Sequence, residues 1–529
     1  MAGHRNLLIT LTLAALPALP LQAAPPDPAD DSMMQGRNGA RVTPLFTVGE
    51  TVTPDDGGEG YQPVGVLDGL GAYRLDADTV RLWVNHELAD DKGRPYRLAN
   101  GTLLRGARIS QFDIDRHSRT LRRAGIAYAE VHDRAGQPVT RAEQINGPGS
   151  HGFDRFCSAA LFEPNRFGED RGFRDRIHFA GEERSRSPGG TLWAGEVDRG
   201  RLWAVPMLGR GAWENVAEID TGTPERIALL LGDDHVGAPL YLYVGIKNGD
   251  PHSSFLDRNG LQQGRLYAWK SAGNDADPAT FHGMAAQRDG HWVELHPRDP
   301  ARAGQPGHDA LGDVDAETLR AEADRLGAFS FSRPEDLHVN PRNGRQAVLA
   351  STGRADFAGG SDTQGDLYLI DLQFDAQGNP GPARLTLLYD GDADPALRLR
   401  SPDNLSWSSD GRILVQEDAA YPWQPQQNPA EARIVAIDPL TRTLTTLAEI
   451  HRAAVRPSGS SDAKAKELGA WESSGIIEVS SLFDAPPGTL HLFDVQAHGI
   501  RDGMIGERDL VEGGQLLWLE VGDPVSRRR

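Results

Sequence analysis

The chain has one cysteine, Cys157, among its 529 residues, so no disulfide can form within it. Basic residues are few relative to acidic ones, since 55 Lys and Arg stand against 75 Asp and Glu and give a formal charge of −20. This balance excludes the usual nucleic-acid binders, because phosphate backbones need basic surfaces. After the N-terminus there are no long apolar runs, so we expect no stable membrane span. P-loop, HExxH, CxxC and EF-hand patterns are also missing from the sequence.

The N-terminus has the pattern of a secretory signal peptide. Arg5 provides a basic start, residues 7–21 form an apolar run too short for a permanent span, and Ala23 and Ala24 provide small residues for cleavage. The alternative is a buried N-terminal helix. We therefore predict a signal peptide over residues 1–24, a flexible leader over 25–45, and a periplasmic or secreted mature protein.

The rest of the sequence is typical of an all-β protein. It contains 60 Gly and 35 Pro without a period, and short alternating apolar segments recur between turn residues. Only Ala316–Leu326 is a convincing short helix. We predict one β domain over residues 46–525 with loop insertions and few short helices.

A weak internal repeat distinguishes among the β architectures. Residues 333–351 and 401–418 both open on a Pro-acid pair, continue as a short strand, and return as an apolar strand. We expect hairpin turns with positive φ at Asn343-Gly344 and Asp410-Gly411. Each repeat leads into two further strands, and four strands are the content of a propeller blade. The repeat count is five to seven; we favour a six-bladed β-propeller, with a large β-sandwich as the alternative.

Acidic residues recur at the predicted strand ends, which in a propeller face the central channel. Taken singly, each acid is more typical of a turn cap or a surface residue. As a set, converging carboxylates repel one another unless cations bind them, and oxygen-rich sites suit calcium or ferric iron. The segments concerned are 84–87, 179–183, 208–214, 231–234, 332–336, 401–404, 415–418, 471–475 and 494–498.

Two further residues have chemistry that suits such a channel. A lone Cys157 is most simply a buried packing residue, but metal ligation would protect an extracytoplasmic thiolate from oxidation. Arg333 precedes Pro334, which favours an extended backbone, and its guanidinium could bind a phosphate bidentately. The alternative for Arg333 is a structural salt bridge to Glu335 or Asp336.

In their order along the chain, these segments resemble the PhoX family of secreted bacterial alkaline phosphatases. The resemblance covers roughly residues 60 to 500. Its pieces are NHE (85–87), the Cys157 strand with the following Glu pair, GRGAWEN (209–215), LGDD (231–234), LYLYVG (240–245), GRLYAWK (264–270), RPEDLHVNPRNG (333–344), PDNLSWSSDG (402–411) and DVQAH (494–498).

The resemblance implies a six-bladed propeller whose channel holds two iron ions and several calcium ions. By position, Cys157 would bridge the irons, Glu214 and Glu335 would be iron ligands, and Arg333 would hold the phosphate. The remaining metal ligands would come from the other strand-end acids, namely Glu87, Glu182, Glu183, Asp234, Asp403 and Asp494. Two features depart from the family: Arg5 stands alone where a twin-arginine signal is common, and RFCSAAL replaces the usual Gly-rich segment after the cysteine.

The function that follows is hydrolysis of a small phosphomonoester by a monomeric enzyme. A metal-bound oxide or hydroxide would attack the phosphorus atom while Arg333 stabilises the equatorial oxygens. One alternative is a calcium-dependent propeller lactonase or esterase, since PDNLSWSSDG also resembles those blades; it would not need Cys157. A second alternative is a non-catalytic secreted propeller that binds a partner.

Overall fold

The computed structural model describes residue 1 and residues 31–54, 57–418, 430–454 and 459–522. The predicted signal peptide lies outside these residues apart from Met1, and so do residues 25–30 of the predicted leader. Among the described residues, no helix is both long and apolar enough to cross a membrane.

The described part of the chain contains thirty β-strands. The first ten are β1 (Met34–Gly36), β2 (Arg41–Thr47), β3 (Leu67–Arg74), β4 (Thr79–His86), β5 (Tyr96–Arg97), β6 (Leu103–Gly106), β7 (Arg108–Asp115), β8 (Leu121–Ile126), β9 (Glu130–His132) and β10 (Gly152–Phe153). The next ten are β11 (Phe156–Phe162), β12 (Ile177–Glu182), β13 (Leu192–Glu196), β14 (Arg201–Ala204), β15 (Trp213–Ile219), β16 (Arg226–Asp233), β17 (Tyr241–Ile246), β18 (Gly264–Ser271), β19 (Gln287–Leu295) and β20 (Pro334–Asn340). The last ten are β21 (Asn343–Ser351), β22 (Asp366–Phe374), β23 (Pro380–Asp390), β24 (Pro402–Trp407), β25 (Ile413–Glu417), β26 (Arg433–Ile437), β27 (Leu444–Ile450), β28 (Glu472–Glu478), β29 (Leu490–Ala497) and β30 (Gly513–Glu520).

Helices are few and short. The α-helices are α1 (Glu143–Asn146), α2 (Phe255–Arg258), α3 (Ala316–Leu326) and α4 (Gly503–Glu507). Single 3₁₀ turns occur at Val197–Arg199, Pro206–Leu208, Pro300–Arg302, Ala358–Gly360 and Ser480–Phe483. The predicted helix α3 is confirmed with its predicted bounds, because Asp315 caps its N-terminus by accepting from Thr318 N–H, and Gly327 ends it in the left-handed conformation.

The strands form six units of four antiparallel strands, which we number in chain order. The units are β3-β4-β7-β8, β11-β12-β13-β14, β15-β16-β17-β18, β20-β21-β22-β23, β24-β25-β26-β27 and β28-β29-β30-β2. Other strands are additions: β9 and β1 extend units 2 and 5, β19 joins units 3 and 4 into one sheet, and β5, β6 and β10 form a small separate sheet.

The first strands of the six units surround one axis. In turn, β3 contacts β11, β11 contacts β15, β15 contacts β20, β20 contacts β24, β24 contacts β28, and β28 contacts β3. This closed ring places the start of every first strand around a common channel. The prediction of an all-β, propeller-like fold is confirmed, and we infer six blades from the ring.

Apolar side chains fill the spaces between neighbouring units. Trp83 of unit 1 and Trp193 of unit 2 share one cluster, and Trp213 of unit 3 packs in the next cluster with Phe179 of unit 2. Comparable clusters lie between units 3 and 4, between units 4 and 5, and across units 5, 6 and 1. The strands therefore stand between two apolar layers, and this packing holds the ring closed.

Two local predictions differ from the structure. Within the predicted leader 25–45, β1 pairs with β27 and β2 pairs with β30, so the fold begins before residue 46. The predicted hairpin turn at Asn343-Gly344 is wrong, because these residues begin strand β21. Asn340 pairs with Asn343, so the turn consists of Pro341-Arg342, and proline is favoured at the first central position of a turn. Gly411 does adopt positive φ, 101°.

Candidate metal centre

A β-bulge follows the first residue of the first strand in units 1 to 5. In unit 1, for example, Leu67 pairs with His86 and Leu70 with Val84, so two residues of β3 oppose one of β4. The same shift occurs in β11, β15, β20 and β24. Bulges redirect side chains and are frequent beside active sites. Here each bulge contains a residue that can bind metal: Asp68, Cys157, Glu214, Glu335 and Asp403.

A second circle of acids comes, in units 1, 2, 3 and 5, from the strand that pairs with the first strand. Glu87, Glu183, Asp234 and Asp418 each follow the last residue of β4, β12, β16 or β25. Because the second strand runs antiparallel to the first, its end lies beside the start of the first strand. Unit 6 adds Glu472, the first residue of β28. The repeated hairpin thus delivers both circles of acids to one end of the channel.

Except for the predicted ligand Asp234, which pairs with Arg333, these residues form four overlapping groups of three, and within each group the ligand atoms lie within 4.8 Å of one another. Cys157, Glu214 and Asp403 each belong to two groups, so the groups run continuously around the ring. The groups are Asp68 with Glu87 and Cys157; Cys157 with Glu183 and Glu214; Glu214 with Glu335 and Asp403; and Asp403 with Asp418 and Glu472.

The environment of these acids fits bound cations. Glu214 is 1% exposed, and neither oxygen of its carboxylate has a hydrogen-bond partner. Burial, followed by the charges of Glu335 and Asp68, raises the pKa of Glu214 well above its ordinary value. Burial and the neighbouring Asp68 and Glu214 likewise raise the pKa of the Cys157 thiol. Cations at these positions would replace the missing hydrogen bonds and favour the ionised ligands.

Two arginines interact with the same acids from the open side. Arg333 binds Asp234 with two nitrogens, at 2.7 and 2.8 Å, and also lies 2.8 Å from Glu335 and 3.3 Å from Asp418. Although burial opposes it, Arg333 holds the pKa of Asp234 below its ordinary value. The alternative considered for Arg333, a salt bridge to Glu335, is therefore present, and the guanidinium already extends into the site.

Arg155 is the second of these arginines. Its Nη2 lies 2.6 Å from Glu87 Oε1 and also pairs with Glu183. Arg155 is not among the site residues predicted from the sequence, although it lies two residues before Cys157 in the same segment.

Glu182 and Asp494 lie outside the four groups. The carboxylate of Glu182 accepts hydrogen bonds from the side chains of Asn146 and Trp193 and from the main-chain N–H groups of Asp154 and Thr191. These bonds indicate a structural role, whereas the resemblance implies a metal ligand. Asp494 is fully buried beside Asp68, and neither of its carboxylate oxygens has a hydrogen-bond partner.

Three ligand candidates were missing from the predicted set. Asp418 and Glu472 lie in acid-rich segments that the sequence did mark, but Asp68 was not marked at all. The repeat could have identified Asp68 as a ligand candidate, since Asp68 is the second residue of a first strand, as are Glu335 and Asp403.

The site opens into a cavity of about 550 Å³. Acids of the ring and several basic side chains line it together. Its lining includes Arg155, Glu183, Ser185, Asp234, Arg333, Arg354, Asp418, Lys464, Glu472, His498 and Arg501. This combination suits a small anionic ligand that is bound by cations held by the acids.

Comparison with known proteins agrees with this architecture. PhoX from Pseudomonas fluorescens, solved in complex with vanadate as a transition-state analogue, superposes with a TM-score of 0.61 at 16% identity, over 94% of this chain and 97% of that chain. A structure from Bacteroides thetaiotaomicron assigned as a glycosidase reaches a TM-score of only 0.33 at 7% identity, over 77% of this chain and 97% of that chain. We draw nothing from the second likeness. A search of curated proteins gives no match.

The family model "Alkaline phosphatase PhoX" matches residues 201–437, which contain Glu214, Asp234, Arg333, Glu335 and Asp403. This match and the shared fold support the predicted phosphatase-type hydrolase. The resemblance to the PhoX alkaline phosphatases that the sequence indicates is therefore confirmed, by the family model over residues 201–437 and by the fold over most of the chain.

Proposed function

We propose that this protein is a secreted or periplasmic, metal-dependent phosphomonoester hydrolase. The observation that carries the proposal is the continuous series of four ligand groups beside the guanidinium of Arg333. The family match and the fold shared with a phosphatase support the same reaction class.

The ligand types indicate which cations the groups prefer. Thiolate favours iron or zinc, whereas a group of carboxylates alone favours a hard cation such as calcium. We therefore assign iron to the two groups that contain Cys157, which include Glu214, and calcium to Asp403, Asp418 and Glu472. Glu335 is assigned to iron from the resemblance alone. Bound cations would act as Lewis acids on the phosphate and lower the pKa of a water nucleophile.

The residues of the chain itself would bind and orient the phosphate. Arg333 presents a planar fork that matches two phosphate oxygens, and its present partners Asp234 and Asp418 keep it extended. Arg155 and Lys464 add positive charge to the cavity wall. Asp234 occupies the Nε–Nη2 edge of Arg333, so a phosphate would bind at the Nη1–Nη2 edge in place of the 3.3 Å contact to Asp418, and Arg333 would there stabilise charge on the transferred group.

The proposal is tested by hydrolysis of p-nitrophenyl phosphate by the purified protein. We expect activity in the metallated protein, its loss after chelation, and its recovery when iron and calcium are returned. Elemental analysis of the protein as purified should find both metals. Full activity after complete metal removal, or inactivity of a fully metallated sample, would contradict the proposal.

Replacement of Cys157 by Ser separates this function from that of a calcium lactonase. We expect Cys157→Ser to lose iron and phosphatase activity together, because a hydroxyl is a poor substitute for a bridging thiolate. A lactonase would keep its turnover in this variant. Assays of both substrates on the wild type and the variant decide between the two readings.

A further inference from the structure

In units 1, 2, 3, 5 and 6, the last residue but one of the second strand faces the beginning of the next unit's first strand. In unit 2 this residue is Gly181, where a Cβ atom would lie 2.4 Å from the main-chain oxygen of Trp213. In unit 3 it is Gly232, where a Cβ atom would lie 1.9 Å from the main-chain oxygen of Glu335. The other three units have a side-chain amide at this position, from Asn85, Gln416 and Gln496.

In units 1 and 5 the amide joins two neighbouring units. Asn85 donates to the main-chain oxygen of Cys157 at 3.0 Å. Gln416 donates to the Ser473 hydroxyl at 2.8 Å and to the main-chain oxygen of Ser474 at 3.0 Å. Both amides thus hold the first strand of the next unit in place.

Gln496 occupies the same position in unit 6 but contacts carboxylates. Its Nε2 donates to Asp68 Oδ2 and to Glu87 Oε2, at 3.0 Å each. Both acids belong to the ligand group that contains Cys157. Gln496 is fully buried, so water does not compete for these hydrogen bonds. The amide therefore joins two candidate ligands that come from different strands of unit 1.

The neighbouring acids determine the orientation of this amide. In the opposite orientation Gln496 Oε1 would face the oxygens of two ionised carboxylates, and all three atoms are acceptors. Gln496 Oε1 is buried, and no described residue gives it a hydrogen bond. The two N–H groups are thus directed to Asp68 and Glu87, where each has an acceptor.

The other contacts of the two acids show what the amide adds. Glu87 Oε1 lies 2.6 Å from Arg155, so both oxygens of this carboxylate are held. Asp68 Oδ2 also accepts from the Cys157 thiol at 3.4 Å, whereas Asp68 Oδ1 is buried without a partner. Two neighbouring carboxylates repel each other, and a donor that both share offsets this repulsion. The ligand atoms are therefore gathered before a cation binds.

We propose that Gln496 is a positioning residue of the metal centre, which holds Asp68 and Glu87 in the arrangement that binds a cation together with Cys157. This role rests on the proposed metal centre, and it gives the segment DVQAH (494–498) a part in it beyond its acid. Residues that orient metal ligands through hydrogen bonds contribute about 10–100-fold to metal affinity.

Cobalt(II) titration of the metal-free protein tests this role. Cobalt bound to a thiolate gives a charge-transfer absorption band, so the band reports binding at Cys157, and Cys157→Ser should abolish it. We expect Gln496→Met to raise the Kd for cobalt by about 10–100-fold, because Asp68 and Glu87 lose their shared donor. The band at saturation should keep its wild-type height, since excess cobalt still gathers the ligands.

Gln416→Met is the matched control. Gln416 is equally buried and occupies the same position in unit 5, but it donates to Ser473 and Ser474. The control should have a lower melting temperature than the wild type and the same Kd for cobalt. Partial misfolding would lower the band at saturation without shifting the midpoint of the titration, so it is distinguishable from lost positioning.

Gln496→Asn replaces Gln496→Met where the latter does not fold. It keeps a side-chain amide but is one methylene shorter, so it cannot reach both carboxylates. We expect Gln496→Asn to raise the Kd for cobalt as well.

The outcomes distinguish the role of Gln496 from the proposed function. Equal Kd values in the wild type and both Gln496 variants would overturn the positioning role and leave the phosphatase proposal in place. An equal rise of the Kd in Gln416→Met and Gln496→Met would also overturn it, because lost packing between units would then explain both. A wild type without the cobalt band would overturn the metal centre and the positioning role together. A wild type that shows the band and the expected shift, but does not hydrolyse p-nitrophenyl phosphate, would support the positioning role and contradict the function alone.

Discussion

At the scale of single residues, the buried acids of the channel differ in what their oxygens contact. The oxygens of Glu214 meet no donor, whereas those of Glu182 meet four. Both residues are buried and both lie at strand ends, so the difference comes from the surroundings of each carboxylate. It separates a candidate metal ligand from a structural hydrogen-bond acceptor.

Glu182→Gln should lower stability without changing metal content. Each carboxylate oxygen of Glu182 accepts from two N–H donors. In glutamine the amide NH₂ group would face one of these pairs, and the loss of those hydrogen bonds should lower the unfolding free energy by about 1–3 kcal/mol. Thermal unfolding measures the first effect and elemental analysis the second. Glu214→Gln is the contrasting variant, because it should lose metal. A loss of metal from Glu182→Gln would instead show that Glu182 is a metal ligand.

Arg333→Lys should reduce kcat for p-nitrophenyl phosphate by about 10²–10³, because lysine keeps the charge but not the bidentate fork. Metal content should stay at the wild-type value, which distinguishes loss of a phosphate contact from collapse of the site. Arg398→Lys is the matched control, because Arg398 is the exposed member of an ion pair with Asp394. If kcat is unchanged and only the melting temperature falls, Arg333 has a purely structural role.

At the scale of elements, the recurring bulge explains how ordinary hairpins build the site. A regular antiparallel strand would alternate its side chains between the two neighbouring units. The extra residue after Leu67, Phe156, Trp213, Pro334 and Pro402 breaks that alternation and directs the next side chain to the channel. The position of the bulge, more than the acid content of a segment, thus selects the ligands.

Strand β15 also carries a buried acid whose titration should affect stability. Glu218 is fully buried, accepts from Phe173 N–H at 2.9 Å and lies 3.9 Å from Arg166. Burial raises the pKa of Glu218 from 4.5 to about 7. A raised pKa means that the protonated form favours folding, so this contribution is complete below about pH 4.5 and is lost as the pH rises through about 7.

Glu218→Gln should therefore flatten the dependence of stability on pH. Between about pH 4.5 and 8 the wild type should lose up to about 3 kcal/mol more unfolding free energy than the variant, since each pKa unit corresponds to about 1.4 kcal/mol. Urea unfolding at a series of pH values measures the difference. Glu163→Gln, at an exposed ion pair with Arg176, should keep the wild-type profile. If the unfolding free energies of Glu218→Gln and the wild type depend on pH in the same way, Glu218 does not have the raised pKa.

At the scale of the whole molecule, the two ends of the described chain meet in unit 6. Strand β2 pairs with β30, and Val42 and Phe46 of β2 are buried in the cluster that spans units 5, 6 and 1. The last unit therefore takes its fourth strand from the beginning of the domain. Closure of the ring in this way keeps every first strand, and so every ligand, at a fixed place around the axis.

Removal of residues up to 47 should destabilise the protein strongly. The loss of the buried side chains of Val42 and Phe46 costs about 1.5–3 kcal/mol each, and β30 is left with an unpaired edge. Removal of residues up to 30 only is the control and should leave thermal unfolding unchanged. Equal melting temperatures for the two truncated proteins would show that β2 is dispensable for closure.

The sequence by itself determined the strand content, helix α3, the four-strand repeat and most of the acids of the ring, because alternation, caps and turn residues are local signals. It also singled out Arg333 and Cys157 from their neighbours in sequence. The sequence misplaced the turn at Asn343-Gly344, where Pro341 sets a turn two residues earlier.

Only the tertiary structure decided which acids belong together. Asp68 and Glu472 stand some four hundred residues apart in sequence, and the closure of the ring brings their strands β3 and β28 into contact. Whether a carboxylate meets N–H donors, as Glu182 does, or meets other acids, as Glu214 does, depends on the bulge and on the adjoining unit. Those contacts are long-range, so no local pattern encodes them, and the electrostatics that make a metal centre exist only once the ring is closed.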